Sequence, residues 1–221
     1  MNHMLRLLAM HRRFIVTGIL VFFSLGFLLF FKENESFSPV LQGFIVGIAF
    51  FLVIPLLYSK MVIGEPIQNL GLQKGRFISG VLAVLLALIV ACGIELGLVL
   101  MFPLFHEQYV FPGIVQTSFL WFIFYEIVLS SIVLSLYEVF FRGLIQSLWL
   151  KSFGIWAVVM QAAFFYGFFL LKGDFSWYKA PLLIFCPFAG YIAYRSRSLW
   201  YSFVASWIFI FLTDIFFLMY R

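Results

Sequence analysis

Residues 78–102 read ISGVLAVLLALIVACGIELGLVLMF, an unbroken apolar run with a single ionisable side chain, Glu95. In lipid no water pairs with backbone N–H and C=O groups, so a spanning segment must satisfy them internally as a helix. About 20 apolar residues suffice to cross a hydrocarbon core of ~30 Å. Six further runs fit the same description: 14–31, 40–59, 114–136, 153–171, 180–194 and 199–220. Composition agrees. Hydrophobic residues make up 65% of the 221, against roughly 45–50% in soluble domains. Charged residues are 10%, where about 25% is usual, too few to coat a soluble core. These numbers exclude disorder and secreted disulfide scaffolds. They predict an all-α fold, a polytopic transmembrane helix bundle of about seven to eight helices, with 1–221 forming a single integral membrane domain.

The net charge of +5 does not point to nucleic acid, because the basic residues sit in short connections and not on one face. Arg6, Arg12 and Arg13 precede the first run, which is too long for a signal peptide and lacks a small-residue cleavage site, so it reads as an uncleaved span. Lys60, Lys74 and Arg76 fall in the third polar segment, Lys151 in the fifth, after Arg142, and Arg195 with Arg197 in the seventh. The fourth, 103–113, has no Lys or Arg. By the positive-inside rule the N-terminus is cytoplasmic and the C-terminus outside. The second connection (Lys32, Glu33, Glu35) and the sixth (Lys172, Asp174, Lys179) fall outside on this reading, the sixth against the trend. Cys92 and Cys186 lie within apolar runs and read as buried thiols, and no Cys/His spacing suits a metal.

Residues 114–150 show few breaks. As one helix they would span about 55 Å, longer than the membrane core, so a break is expected near Ser130–Ser131 or after Arg142. The longest polar segment, 60–77, reads as a loop with an interfacial turn around Gly64–Gly75.

Charges at membrane depth cost ~2.5–3.5 kcal/mol each on insertion scales, so Glu95, Glu126, Glu138, Arg142 and Asp214 each need a reason. Glu138 and Arg142 are four apart, acid first, the favourable order for a helical ion pair. Spacing alone favours a structural pair over a catalytic one. Glu126 and Tyr137, eleven apart, fall near one face of an unbroken helix. Glu95 sits between Gly93 and Gly97, a small-xxx-small spacing that suggests close helix packing. Asp214 lies near the outer end of the last run, within reach of water.

The segment Tyr137–Glu138–Val139–Phe140–Phe141–Arg142–Gly143, continuing Leu144–Ile145–Gln146, resembles the first motif, E-E-x-x-x-R, of the CPBP family of CAAX-prenyl endopeptidases and bacteriocin-processing or "Abi" membrane proteins. Asn69–Leu70–Gly71–Leu72 resembles that family's upstream loop. Phe165–Tyr166–Gly167–Phe168–Phe169–Leu170 is similar to its F-x-x-x-H motif. Gly190 to Arg195 followed by Ser198–Leu199–Trp200 resembles the turn before H-x-x-x-N. The likeness is strongest over 137–210. It implies a membrane endopeptidase scaffold in which a glutamate and histidines activate water.

The chain departs from the family at the catalytic letters. Glu138 and Arg142 are retained, but the other positions are Tyr137, Leu170, Ser206 and Ile210, and the chain's three histidines, His3, His11 and His106, all lie elsewhere. General-base catalysis needs a titratable group beside the water, and an oxyanion needs preorganised donors. Leu170 and Ile210 offer neither. The resemblance therefore implies a catalytically degenerate member with no cofactor and no metal. Such a protein would serve as an adaptor, chaperone or complex subunit in a bacterial inner membrane, its partners membrane lipid, another membrane protein or a lipidated or hydrophobic peptide. One alternative is an endopeptidase with an altered site that uses Glu138. Others are a bacteriocin-immunity or phage-defence protein and, more remotely, a transporter, for which no internal repeat is visible.

Overall fold

The computed structural model describes the backbone of residues 2–32, 38–111, 113–173 and 176–220, and the side chains from Phe14 onward except Pro39, Ile114 and Thr117. The sequence readings placed on Glu33, Glu35 and Asp174, and on the side chains of His3, Arg6, His11, Arg12 and Arg13, lie outside these described residues.

Seven long helices make an all-α bundle: α1 (Asn2–Phe30), α2 (Val40–Ile63), α3 (Phe77–Met101), α4 (Phe119–Phe153), α5 (Trp156–Lys172), α6 (Ala180–Ser196) and α7 (Leu199–Met219). Four of them, α2, α3, α4 and α7, are long and apolar enough to cross a membrane. Phe14–Phe30 and α5 are shorter apolar helices. Side chains that a soluble protein would bury face outward here, among them Phe22, Phe30, Leu100, Phe119 and Leu120, as a lipid-facing surface requires.

The break expected near Ser130–Ser131 or after Arg142 does not occur; the 114–150 stretch is interrupted instead at Ser118, whose extended backbone precedes α4. Helix α4 continues through 35 residues, or about 52 Å at 1.5 Å per residue. Two widened π turns, Tyr125–Ser130 and Glu138–Gln146, take the place of the break. Such a turn absorbs an extra residue and frees carbonyls without ending the helix. The Glu126 carbonyl accepts from the Trp207 indole at 2.9 Å, and the Arg142 carbonyl accepts from Ser147 Oγ at 2.9 Å. The inserted residue also shifts the helical phase. Tyr125, not Glu126, lines the same cavity as Tyr137, so the face-sharing expected at a spacing of eleven occurs at twelve.

One half of the bundle is an aromatic core from α1, α2, α4 and α5, including Phe51, Phe140, Phe141, Phe165 and Phe168. The other half packs α3 on α6 and α7 through small residues: Ala83, Ala87 and Ala91 meet Ala189, Ile192, Ala205 and Phe209. Close approach of these backbones replaces the hydrophobic drive that lipid cannot supply. Gly80 is part of this contact, since a Cβ there would lie 2.8 Å from the Tyr201 ring. Gly93 and Gly97 are not part of it, because a Cβ at either would meet nothing within 4 Å. The small-residue seam thus runs at a four-residue period one face away from the one read in the sequence.

The polar segment before α3 folds back under the bundle. Its 3-10 turn, Ile67–Leu70, is flanked by Gly64, Gly71 and Gly75, all at positive φ. It is tied to the α6–α7 turn by Leu199 N–H to the Gly71 carbonyl (2.9 Å), Arg76 N–H to the Ser196 carbonyl (2.7 Å) and Ser198 Oγ to the Gln73 carbonyl (2.5 Å). Leu70 is fully buried, and Gly143 makes room for it: a Cβ at Gly143 would stand 3.2 Å from the Leu70 carbonyl. At the same end Lys151 pairs with Glu65 at 2.7 Å.

Candidate functional site

Glu138 and Arg142 sit in the second π turn of α4, and every residue from Glu138 to Gln146 is buried. Arg142 Nη1 lies 3.7 Å from Glu138 Oε1, so the ion pair read from the four-residue spacing forms. Two hydroxyls from α7 complete the acceptor's partners. Ser202 Oγ donates to Glu138 Oε2 at 2.6 Å, and Ser206 Oγ donates to Oε1 at 3.3 Å. Ser202 did not figure in the sequence reading. Its signal was available, because it stands one helical turn before Ser206 and shares its face.

The guanidinium is held from two further directions. Nη2 donates to the Cys186 carbonyl at 3.3 Å, and the group lies 5.4 Å from the centroid of the Phe165 ring. The Cys186 carbonyl also accepts from Gln161 Nε2 at 3.4 Å, and the Gly190 carbonyl from Gln146 Nε2 at 2.8 Å. Pro187 in α6 has no N–H to give the Leu183 carbonyl four residues back. The Tyr166 phenol supplies that bond at 2.9 Å. Segments 137–146, 165–170 and 186–206 therefore do converge, with most of their polar groups paired to one another; Arg142 Nε and Gln146 Oε1 are buried without a hydrogen bond.

The remaining motif positions divide. Tyr137 is half-buried among aromatic rings, with centroids 5.5 Å from Phe165, 5.6 Å from Phe51 and 6.0 Å from Phe169. Ser206 belongs to the cluster. Ile210, one turn further on, lines the neighbouring cavity. Leu170 does not join the site: it is 74% exposed, on the outer face of α5. The α5 side chain facing Tyr137 is Phe169, one residue earlier. His106 lies at the far end of the bundle, 2.9 Å from the Tyr220 carbonyl. Cys92 is half-buried and Cys186 buried, both as free thiols.

A second polar cluster joins the other three acids, which the sequence reading treated singly. Asp214 is fully buried, not water-accessible as its position near a helix end suggested, and Glu126 is equally closed off. Their carboxyls are close enough to interact electrostatically. Tyr109 OH donates to Asp214 Oδ1 at 2.5 Å, and Thr213 Oγ1 bonds Glu95 Oε2 at 2.8 Å. Burial, reinforced by the adjacent Asp214 carboxyl, pushes the Tyr109 phenol well above its ordinary pKa, so it stays a donor. Tyr109 comes from the connection between α3 and α4, where no periodicity marks a residue for burial. The Tyr125 and Tyr178 hydroxyls bond each other beside this cluster.

Between α2, α4 and α6 lies an apolar cavity of about 310 Å³, lined by Phe44, Val133, Tyr137, Phe169, Leu182 and Ile210 among others. A second cavity of about 250 Å³ shares Val40, Phe44, Val133, Tyr137 and Phe169 with it and extends to Gly47, Phe51 and Lys172. Lys179 borders both. Together they form a lateral slot with a basic rim, within the size range of ordinary ligand pockets. Among the described residues no three His, Cys, Asp or Glu side chains gather closely enough to hold a metal ion. Comparison with protein-family models, with curated proteins and with solved structures returns no match.

Proposed function

We propose that this chain is a catalytically silent membrane protein on a CPBP-like scaffold, holding a hydrophobic chain in its lateral slot as an adaptor, chaperone or complex subunit. The observation that carries the reading is the closure of the Glu138 cluster. Glu138, the one acid retained from the resembling motif, is engaged by Arg142, Ser202 and Ser206 and is only 3% exposed. A general base must touch the water it activates, and this carboxylate is contacted by Arg142, Ser202 and Ser206. The slot beside it is walled by Tyr137, Phe169 and Ile210, which favours a lipid tail, a prenyl or acyl group, or an apolar helix over a hydrated peptide. The alternation of basic segments supports a plasma-membrane orientation with the N-terminus cytoplasmic.

The endopeptidase alternative requires water at Glu138, and the serine and arginine contacts weigh against it. The test is purification in mild detergent, followed by native mass spectrometry and incubation with prenylated and leader peptides. A retained hydrophobic molecule or stoichiometric partner, with every peptide intact, is the expected result. Cleavage that disappears in Glu138→Gln overturns the proposal.

A further inference from the structure

Three of the chain's nine acidic residues, Glu95 on α3, Glu126 on α4 and Asp214 on α7, meet in the interior away from both ion pairs found among the described residues. Glu95 is 8% exposed, and Glu126 and Asp214 are fully buried. Four of their oxygens, Glu95 Oε1, both Glu126 oxygens and Asp214 Oδ2, are buried and make no well-formed hydrogen bond to a side-chain or backbone donor, although the Ser130 hydroxyl lies near Glu126. An ionised carboxylate only accepts hydrogen bonds, and leaving it buried and unpaired costs several kcal/mol or more.

Proton sharing accounts for the arrangement. Thr213 has one hydroxyl proton but contacts two acceptors, Glu95 Oε2 at 2.8 Å and the Phe209 carbonyl at 3.0 Å. A neutral Glu95 satisfies both by donating to Thr213, whose own proton then serves the carbonyl. The Glu126 and Asp214 carboxyls can bond each other only if one carries a proton. Tyr109 donates to Asp214 Oδ1, which Asp214 accepts whether or not its other oxygen is protonated, so such a proton belongs to the pair.

We infer that Glu95, Glu126 and Asp214 form a proton-binding site buried between α3, α4 and α7. The titratable groups around it are the phenols of Tyr109, Tyr125 and Tyr178 and the thiol of Cys92, which interacts with Glu95. The three phenols also line the lateral slot, so they separate the carboxyls from the space a proton would enter by. Lys179, next to Tyr178 in the chain, also borders that slot. The inference does not depend on what the slot holds or on whether Glu138 is silent. Losing the protons would leave like charges between three helices with no ion pair to them among the described residues, which ties proton occupancy to the packing of this half of the bundle.

The test uses the full chain in detergent or lipid nanodiscs. Infrared spectroscopy in H₂O and D₂O should reveal a protonated-carboxyl stretch at neutral pH that shifts on deuteration and is lost in the triple variant E95Q/E126Q/D214N. Dicyclohexylcarbodiimide, which reacts with protonated carboxyls in apolar surroundings, should label Glu95, Glu126 or Asp214, located by peptide mass mapping. Above the site's midpoint the labelling rate should fall about tenfold per pH unit. Should the triple variant fail to fold, the wild-type spectrum and the labelling positions still decide. A folded wild type with neither stretch nor adduct overturns the inference. So does a stretch that persists in E95Q/E126Q/D214N, or labelling abolished by sodium with no protonated-carboxyl stretch, which would instead mark a cation site.

Discussion

Replacing Arg142 by Met should destabilise the bundle by about 3–5 kcal/mol, the cost of stranding one member of a buried ion pair. Both side chains are almost wholly enclosed, at 3% and 4% exposure, so water cannot take over the guanidinium's place. The Ser202 and Ser206 hydroxyls remain on Glu138, and hydrogen bonds to a charged group are worth about 1.5–3 kcal/mol each, which places the expected loss toward the lower end of that range. Glu138→Gln alone leaves Arg142 with the Cys186 carbonyl and the Phe165 ring and should also destabilise. The double variant Glu138→Gln/Arg142→Met removes both charges and should recover to within about 1 kcal/mol of wild type, since apolar or neutral replacements of buried pairs are often nearly neutral. The double-mutant cycle should then give a coupling energy of about 2 kcal/mol or more. Reversible unfolding in mixed micelles, followed by tryptophan fluorescence, measures all four proteins. A loss below about 1 kcal/mol for Arg142→Met, with no recovery in the double variant, would refute a dry, closed cluster. It would mean that solvent reaches Glu138, and the argument for a silent scaffold would fall with it.

Gly71→Ala should cost about 1–2 kcal/mol in the same assay, combining a left-handed φ with a crowded Cβ, since that carbon would lie 3.0 Å from Leu199 Cγ. Gly64→Ala, at φ +69 with open space around it, should show the backbone cost alone, and an equal loss at both sites would count against docking of the loop on α7. Placing imidazoles where the resembling motifs carry histidine, Leu170→His with Ser206→His, should bind no stoichiometric zinc by elemental analysis, because Leu170 faces outward. Zinc retained by that variant and lost on Glu138→Gln would disprove the placement of α5. Val133→Trp, at a position lining both parts of the slot, should fold and reduce retained hydrophobic ligand in native mass spectra. Unchanged retention would move the binding site elsewhere.

The seven helices and the Glu138–Arg142 pair were legible in the sequence because both are local: apolar runs set the spans, and an i, i+4 spacing sets the pair. What the sequence concealed was phase. A π turn adds a residue without altering composition, so the long fourth run looked overdue for a break, and Tyr125 and Glu126 exchanged faces relative to a regular helix. The same sensitivity affects Leu170, where an alignment letter and a helix face differ by one residue. Glu95, Glu126 and Asp214 were each visible as costly, but their meeting depends on how α3, α4 and α7 pack, and no one-dimensional pattern carries that. Tyr109 was hidden for a different reason: it lies in a connection and is buried by tertiary contact alone.

The two polar clusters solve one physical problem in different ways, and the difference bears on function. Near the folded-back loop, a carboxylate is neutralised by a fixed guanidinium and two hydroxyls, an arrangement that neither needs nor admits exchange with solvent. Toward the other end, no ion pair among the described residues reaches the three carboxyls, so protons are what balances them, and protons exchange. Both clusters join α4 to α7, through Ser202 and Ser206 at one end and through Asp214 at the other. The lateral slot lies between them, with Tyr137 toward the first cluster and Tyr109, Tyr125 and Tyr178 toward the second. One wall of the slot is therefore held by a permanent pair, while the other depends on proton occupancy. Any conformational response of this bundle to pH should then begin at the carboxyl end and leave the Glu138 end in register.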